Sequence, residues 1–452
     1  MKRRGGVGLS GQLKEQLIRQ ALDRRNRQRK QEEDIDAGAL DDSSNTDLLD
    51  VPGRFYRFDL HPGYQQLRII QEGASKLGIE SPYFRIHEGI AAGTTSIAGR
   101  DYLNFASYNY LGLCGDTRVN DAAKRAIDRY GTSVSASRLV SGERAVHGEL
   151  ERELADAHGV AESIVFVSGH ATNVTTIGYL FGPKDLIVHD ALIHNSALQG
   201  IGLSGAKRLS FPHNDWQVLE SLLAKQRRSF ERVLILVEGL YSMDGDFPDL
   251  PRFVEIKRRH GALLMVDEAH SFGVMGASGM GIAEHFSIDP CDVDIWMGTL
   301  SKALASSGGY IAGERALVEH LKFSAPGFLY SVGMAPPVAA AALEALRVLR
   351  AEPERVQRLQ ARAGFFLERA REIGLDTGRA TGYAVVPVLT GSSIKAGRLA
   401  EAMFRRGVNV QPIIYPAVEE KAARLRFFIS CEHTEAQLCE TVDAVAHELQ
   451  RL

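Results

Sequence analysis

Asp267 closes the apolar run Leu264-Met265-Val266, and His270 follows it within one helical turn. Further along, Ile295-Trp296-Met297 runs into Gly298-Thr299-Leu300-Ser301-Lys302, with Gly308-Gly309 behind. An acid at the carboxyl end of a buried parallel strand points into the crevice where open α/β sheets bind ligands. Taken singly, such an aspartate is as often structural as functional, and a lone lysine is usually a solvated charge. Together they match one demanding chemistry. Pyridoxal phosphate needs a lysine for a Schiff base, an acid against its pyridinium nitrogen, a donor to its ring oxygen, and small hydroxyl or glycine residues around its phosphate. Lys302, Asp267, His270 and the pair Thr299 and Ser301 supply one candidate for each need.

Another reading of Asp267-Glu268-Ala269-His270, as the Mg²⁺-binding strand end of a DEAH-type nucleic-acid ATPase, fails on the phosphate lysine. That chemistry needs a loop ending in Gly-Lys-Ser/Thr. None of the 13 lysines is preceded by glycine or followed by serine or threonine. The overall charge agrees, because 53 basic residues against 56 acidic ones give -3, no field that recommends nucleic acid or an anionic membrane surface. The longest aliphatic runs, such as Val233–Val237, are far shorter than the roughly 18–20 residues of a spanning helix, so no transmembrane segment is expected. The basic start has no apolar stretch behind it, so no secretory signal is expected either. Cys114, Cys291, Cys431 and Cys439 form no C-x-x-C pair, which argues against a disulfide framework or a zinc cluster. With 44% hydrophobic and 24% charged residues, the expectation is a soluble cytoplasmic enzyme without a metal.

The elements that must position these residues follow from periodicity. Short β-branched runs at Ser163–Val167, Leu186–Val188, Val233–Val237, Ala262–Val266 and Ile295–Met297 alternate with helix-length amphipathic stretches. Continuous apolar strands separated by helices predict an α/β fold, with a mostly parallel sheet covered on both faces. After Pro336-Pro337 the texture changes to long Ala/Leu/Arg helices through roughly 373. A small α+β tail follows, with strands at Val385–Leu389, Val408–Ile414 and Arg426–Ser430 and a helix at Leu399–Arg406. The last helix starts at Thr434, where Gln437 completes a capping box. Domains are therefore expected at 102–335 (large) and 336–452 (small), preceded by an arm at 51–101. Residues 1–50 stand apart: 1–30 carry ten Lys/Arg against two acids, and 31–50 carry eight acids and no base. Leu13, Leu17 and Ala21 mark one apolar stripe there. A frayed tail, a helix that docks an acidic partner, and an organelle transit peptide are the three readings, the acidic block speaking against the last.

The motifs in order give a resemblance. Ser107-Tyr108-Asn109-Tyr110-Leu111-Gly112, Gly131–Gly142 with His147 behind it, Val167-Ser168-Gly169-His170, Asp190–Ser196, Glu238–Asp246, the Asp267 and Lys302 blocks and Arg424-Leu425-Arg426 run in register with the α-oxoamine synthases. The chain resembles that family, which includes 8-amino-7-oxononanoate synthase, 5-aminolevulinate synthase, 2-amino-3-ketobutyrate CoA ligase and serine palmitoyltransferase. The resemblance covers residues from about Tyr102 to the C-terminus. It implies a fold type I pyridoxal-phosphate transferase, with a large domain built on a mostly parallel seven-stranded-type sheet plus a smaller α+β C-terminal domain.

Residue by residue, the resemblance implies that Lys302 forms the Schiff base and later moves the α-proton. Asp267 keeps the pyridine nitrogen protonated, His270 hydrogen-bonds the ring oxygen, and His194 stacks on the cofactor face. Gly169 and His170 touch the cofactor at a helix N-terminus suited to its phosphate. Ser242, Thr299 and Ser301 add hydroxyl donors. Arg426 clamps the amino-acid carboxylate, as a guanidinium pairs bidentately with that group, and Asn109 lies near the substrate. Ser331 reaches the phosphate across the interface of a homodimer with shared active sites; Gly333 stands where the family often has a second Ser or Thr. The implied reaction is a decarboxylating Claisen condensation of an amino acid with an acyl thioester, on CoA or on an acyl carrier protein. An aminotransferase or a lyase is the alternative on the same fold. The form of the Ser107–Gly112 motif leans towards a lipid or polyketide-type acyl chain, and the absence of a threonine near Ala417 leans away from a pimeloyl-type one.

Overall fold

In a computed structural model the described residues are 51–76 and 80–452. The docking-helix reading of residues 1–50 lies outside them. The chain divides into two compact units, 1–73 and 74–452. In the first, the described part is two short turns and most of the helix Pro62–Lys76.

The second unit is organised on a seven-stranded sheet. Its strands are β3 (Glu162–Phe166), β4 (Leu186–Asp190), β5 (Lys207–Phe211), β6 (Val233–Glu238), β7 (Leu263–Asp267), β8 (Ile295–Thr299) and β9 (Gly309–Gly313). They lie in the order β3-β9-β8-β7-β6-β4-β5, and only β9 runs antiparallel to its neighbours. The β-branched runs fold this way because both faces of each central strand find apolar cover. In β6, Val233, Ile235 and Val237 enter one core while Leu234 and Leu236 enter the other, as the two-residue period of a strand requires. Helices Gly169–Leu180, Asn195–Ser204 and Arg315–Ser324 cover the second face, and Leu250–His260 and Pro336–Ala351 the first.

Two small sheets complete the unit. One joins β1 (Thr94–Ile97), β2 (Arg100–Asn104) and β11 (Val408–Asn409), and the other joins β10 (Val385–Leu389), β13 (Arg424–Phe428) and β12 (Gln411–Ile413). The single strand expected at 408–414 is thus two strands in two sheets. Val410 breaks the ladder between them: Val408 and Asn409 pair with β2, whereas Gln411 to Ile413 pair with β13. The strand expected at 426–430 begins two residues earlier, and the helix expected at 399–406 spans Ser393–Arg405. The Thr434 capping box forms as expected, its hydroxyl accepting from Gln437 N at 3.2 Å and Gln437 Oε1 accepting from Thr434 N at 2.9 Å. Among the described residues no helix is long and apolar enough to cross a membrane.

Candidate active site

The parallel strands end at one edge, and their last residues are chemical. β6 ends in Glu238, β7 in Asp267, β8 in Thr299 and β4 in Asp190. Glu238 and Asp267 are register partners on adjacent strands, so two carboxylates sit side by side. Asp267 is held from two directions: Oδ1 accepts from Ala269 N at 3.0 Å and Oδ2 from Asn173 Nδ2 at 2.9 Å. Asn173 Nδ2 also donates to Ser196 Oγ at 2.9 Å, which lies 2.7 Å from His194 Nδ1. Because Ser196 accepts from Asn173, its own proton goes to Nδ1, and His194 keeps its proton on Nε2. A continuous chain of hydrogen bonds therefore joins Asp267 to His194.

Lys302 forms part of the wall of a cavity of about 400 Å³, together with His87, Asn104, Tyr108, Asn109, Cys114 and Gln411. Desolvation lowers its amine to about 8, against the opposing charges of Asp267 and Glu238, while Arg426 lowers it further. That value leaves a neutral fraction near physiological pH, which a Schiff-base lysine needs. Burial pushes the Glu238 carboxyl well above its usual range, and the Asp267 charge adds to the rise. Its Oε2 accepts from Ser242 N at 3.3 Å, and its Oε1 is buried with no partner.

The helix Gly169–Leu180 starts against the end of β8. A Cβ on Gly169 would lie 3.0 Å from Thr299 Oγ1, a contact tight enough that the threonine would have to give way. Ser168 caps this helix by accepting from Ala171 N, and His170 is exposed beside it. Thr299 Oγ1 bonds Ser301 Oγ at 2.8 Å and donates to Gly308 O at 3.0 Å. The two arginines of Arg424-Leu425-Arg426 separate cleanly. Arg424 is consumed by Asp244 at 2.8 Å and by the carbonyls of Met243 and Ala422. Arg426 donates to Ser242 O at 3.0 Å, lies over the Phe428 ring, and keeps a buried Nε without a partner. It has the spare donor that a carboxylate clamp needs.

Two expected residues are placed differently from the rest. Asn109 borders the cavity, but its amide is committed to the backbone, donating to Ala91 O at 3.1 Å and accepting from Cys114 N at 3.0 Å. Ser331 lies away from the Lys302 cavity, in a small cleft with Val167 and Ala171.

Sequence reasoning missed the residues that hold the site in place. His213 bridges Asp190 and Asp246, with Nδ1 2.9 Å from Asp190 Oδ1 and Nε2 2.8 Å from Asp246 Oδ2. It ties the end of β4 to the turn that carries Ser242. The same turn needs Gly245 (φ +69°), because a Cβ there would sit 2.1 Å from Val385 O. Burial alone would lower the His213 pKa, but bonds and charge from the two aspartates carry it up to about 9. A histidine raised in the folded state stabilises fully below its unfolded value near 6.5 and loses that contribution as pH climbs through 9. The stability gap between the protein and His213→Gln, measured by urea unfolding, is expected to be on the order of 3 kcal/mol near pH 6. It should shrink steadily to pH 9.5; a gap independent of pH would show that His213 is not charged in the fold.

The donor set fits pyridoxal phosphate. It presents an amine with a lowered pKa, a carboxylate fixed at a strand end, a buried neutral imidazole at His270, a helix N-terminus that begins with glycine for a phosphate, and a guanidinium whose Nε has no partner.

Comparison with known proteins agrees. A family model for aminotransferases of class I and II matches residues 100–445. The 8-amino-7-oxononanoate synthase of Symbiobacterium thermophilum is 39% identical over 77% of this chain and 89% of its own. The serine palmitoyltransferase of Bacteroides ovatus is 35% identical over 82% of this chain and 93% of its own. Among solved structures, the serine palmitoyltransferase of Sphingomonas wittichii superposes with a TM-score of 0.83 at 27% identity, covering 87% of this chain and 98% of that one. A structure of SPT with its PLP internal aldimine gives 0.82 at 27% identity, covering 87% and 99%. The fold, the residues gathered at the strand ends and these likenesses converge: the chain belongs to the aminotransferase class I and II family and, within it, to the α-oxoamine synthases, pyridoxal-phosphate enzymes of fold type I.

Proposed function

We propose that this chain condenses an amino acid with an acyl thioester, carried on CoA or on an acyl carrier protein, and releases CO2 and the free thiol to leave an α-aminoketone. The observation that carries the reading is the cavity beside Lys302, which leaves room for a second carbon substrate next to the amine. The likeness to an oxononanoate synthase and to a serine palmitoyltransferase supports it.

Bound pyridoxal phosphate supplies a carbonyl for the amines of Lys302 and substrate, and a ring that draws electron density from the α-carbon. The protein does the rest. Asp267 holds a proton on the ring nitrogen, and His270 donates to the ring oxygen. His194 would lie against the ring face, and Arg426 would pair with the substrate carboxylate through its free Nε. Gly169, His170, Ser242, Thr299 and Ser301 would hold the rest of the cofactor. Lys302 Nζ takes the α-proton, the α-carbon bonds to the acyl carbon, and the thiolate leaves. The carboxyl then departs as CO2, and the electron pair it leaves on the α-carbon takes up a proton.

A panel of amino acids, each with acyl-CoA and acyl-carrier donors, tests the reaction. Equimolar CO2 and thiol, both dependent on the thioester, are expected. A keto acid formed without thiol release would make the enzyme an aminotransferase instead.

The reading extends to a homodimer with shared sites. Segments 136–140 and 330–333 lie side by side, with Gly333 N donating to Ala136 O at 3.1 Å. They expose Val140 (80%), Tyr330 (88%), Leu139 and Val332 around Ser331, an apolar patch suited to a second copy. The protein is expected to sediment as a dimer, and Val140→Asp to lower association and activity together. A fully active monomer at nanomolar concentration would refute the shared site. Two finer placements belong to the same reading: a small C-terminal domain at 336–452, whose first helix Pro336–Ala351 packs back on the large sheet, and a cytoplasmic location.

A further inference from the structure

The Tyr110 hydroxyl lies 2.8 Å from His270 Nδ1, and both side chains are buried, Tyr110 completely. Among the described residues Nδ1 is the only hydrogen-bond partner of that hydroxyl. A hydroxyl has one proton to give, and a buried donor left unpaired is costly. If Nδ1 carried the imidazole proton, the tyrosine hydrogen would have no acceptor. The tyrosine therefore donates, Nδ1 accepts, and the imidazole proton resides on Nε2.

The surrounding groups favour the same arrangement. Burial pushes Tyr110 well above 10, with Tyr108 adding to the rise and Arg426 opposing it, so the hydroxyl keeps its proton. Burial, then the charges of Lys302, Arg426 and His194, push His270 well below 6.5, so the ring is neutral. Phe428 closes the remaining side, stacked 12° from the His270 plane and T-shaped to Tyr110.

Tyr110 is held by a different part of the chain from the β7 loop that carries His270. Its carbonyl accepts from Cys431 N at 2.8 Å and from Ser430 Oγ at 3.4 Å, just past the end of β13. The strand bearing Arg426 and the loop bearing His270 are thus linked through one tyrosine.

We propose that Tyr110 is a positioning residue: by donating to Nδ1 it holds His270 in the tautomer that offers Nε2–H to the ring oxygen of pyridoxal phosphate. This rests on the assignment of His270 to that oxygen made above.

The test is a double-mutant cycle on the holoenzyme, read by pH titration of the visible absorbance of bound cofactor. His270→Phe alone should raise the apparent pKa of that absorbance, because a ring oxygen without its donor holds the neighbouring proton more tightly. Tyr110→Phe keeps the ring and should raise it in the same direction by about half a unit to one unit. The pair should equal His270→Phe alone, because Tyr110 acts only through the histidine. No shift in His270→Phe would overturn the assignment of His270 itself. A shift there but none in Tyr110→Phe, or a Tyr110→Phe shift that persists without His270, would overturn the positioning role. Nitrogen NMR of the unsubstituted holoenzyme reads the same point: Nδ1 unprotonated and Nε2 protonated are expected, and the reverse pattern overturns the proposal.

Discussion

Replacing Lys302 by alanine is expected to abolish turnover, with a loss of at least about 10⁴-fold, because among the described residues no other lysine lines the cavity. The nearest alternative bases fail for physical reasons. His270 is pushed well below its usual range by burial and by Lys302 itself, and its Nδ1 is engaged by Tyr110. His194 Nδ1 is engaged by Ser196. The fold should survive. Lys302 is a buried-site cation whose loss leaves Asp267 and Glu238 facing each other, but Glu238 is already pushed towards its neutral form, so only one negative charge remains. Borohydride reduction followed by peptide mapping checks the assignment. The unsubstituted protein should carry the reduced cofactor on the peptide containing Lys302, and the variant on none. A variant that still traps cofactor covalently would show that another lysine is the partner.

Much of the frame that holds Lys302 was legible because its strands are apolar on both sides, and such runs announce themselves. Two strands were not. β5 carries Lys207, Arg208 and Ser210 at the sheet edge, where solvent takes the place of a neighbour and the apolar signal vanishes. β9 is written Gly-Tyr-Ile-Ala-Gly because packing forbids a side chain at its two ends. A Cβ on Gly309 would sit 2.4 Å from Thr172 Oγ1 and 2.7 Å from Gly169 Cα. The glycines that make the strand fit also erase its β signature. In the site, charged and nucleophilic residues could be read from type and spacing, whereas their holders could not. Asn173 reaches Asp267 across 94 positions and Tyr110 reaches His270 across 160, and nothing in either residue type names its partner. The competition between Arg424 and Arg426 was likewise undecidable from sequence. Only the fold brings Asp244 to Arg424 and leaves Arg426 with a free donor.

Asp267→Asn is expected to cost about three orders of magnitude in rate, on the order of 4 kcal/mol, while leaving the protein folded and able to bind cofactor. The side chain keeps its volume, and the local bonds can be rebuilt. Oδ1 can still accept from Ala269 N, and the new amide can donate to Asn173 Oδ1, which is buried without a partner, if the Asn173 amide turns over. What disappears is the negative charge. An amide opposite the ring nitrogen cannot hold a proton there, so charge developing on the α-carbon has no sink. A second consequence follows from the same loss. Asp267 raises the Lys302 amine against desolvation, so its removal drops that amine further below about 8. Loss of the negative charge that opposes ionisation likewise lets the Glu238 carboxyl fall back towards its usual range. The acidic limb of the pH–rate profile should therefore move to lower pH even as the plateau collapses. A purely structural role for Asp267 predicts a different outcome: a destabilised protein with a normal rate per folded molecule and an unmoved limb. A rate loss below about tenfold would remove Asp267 from the ring nitrogen.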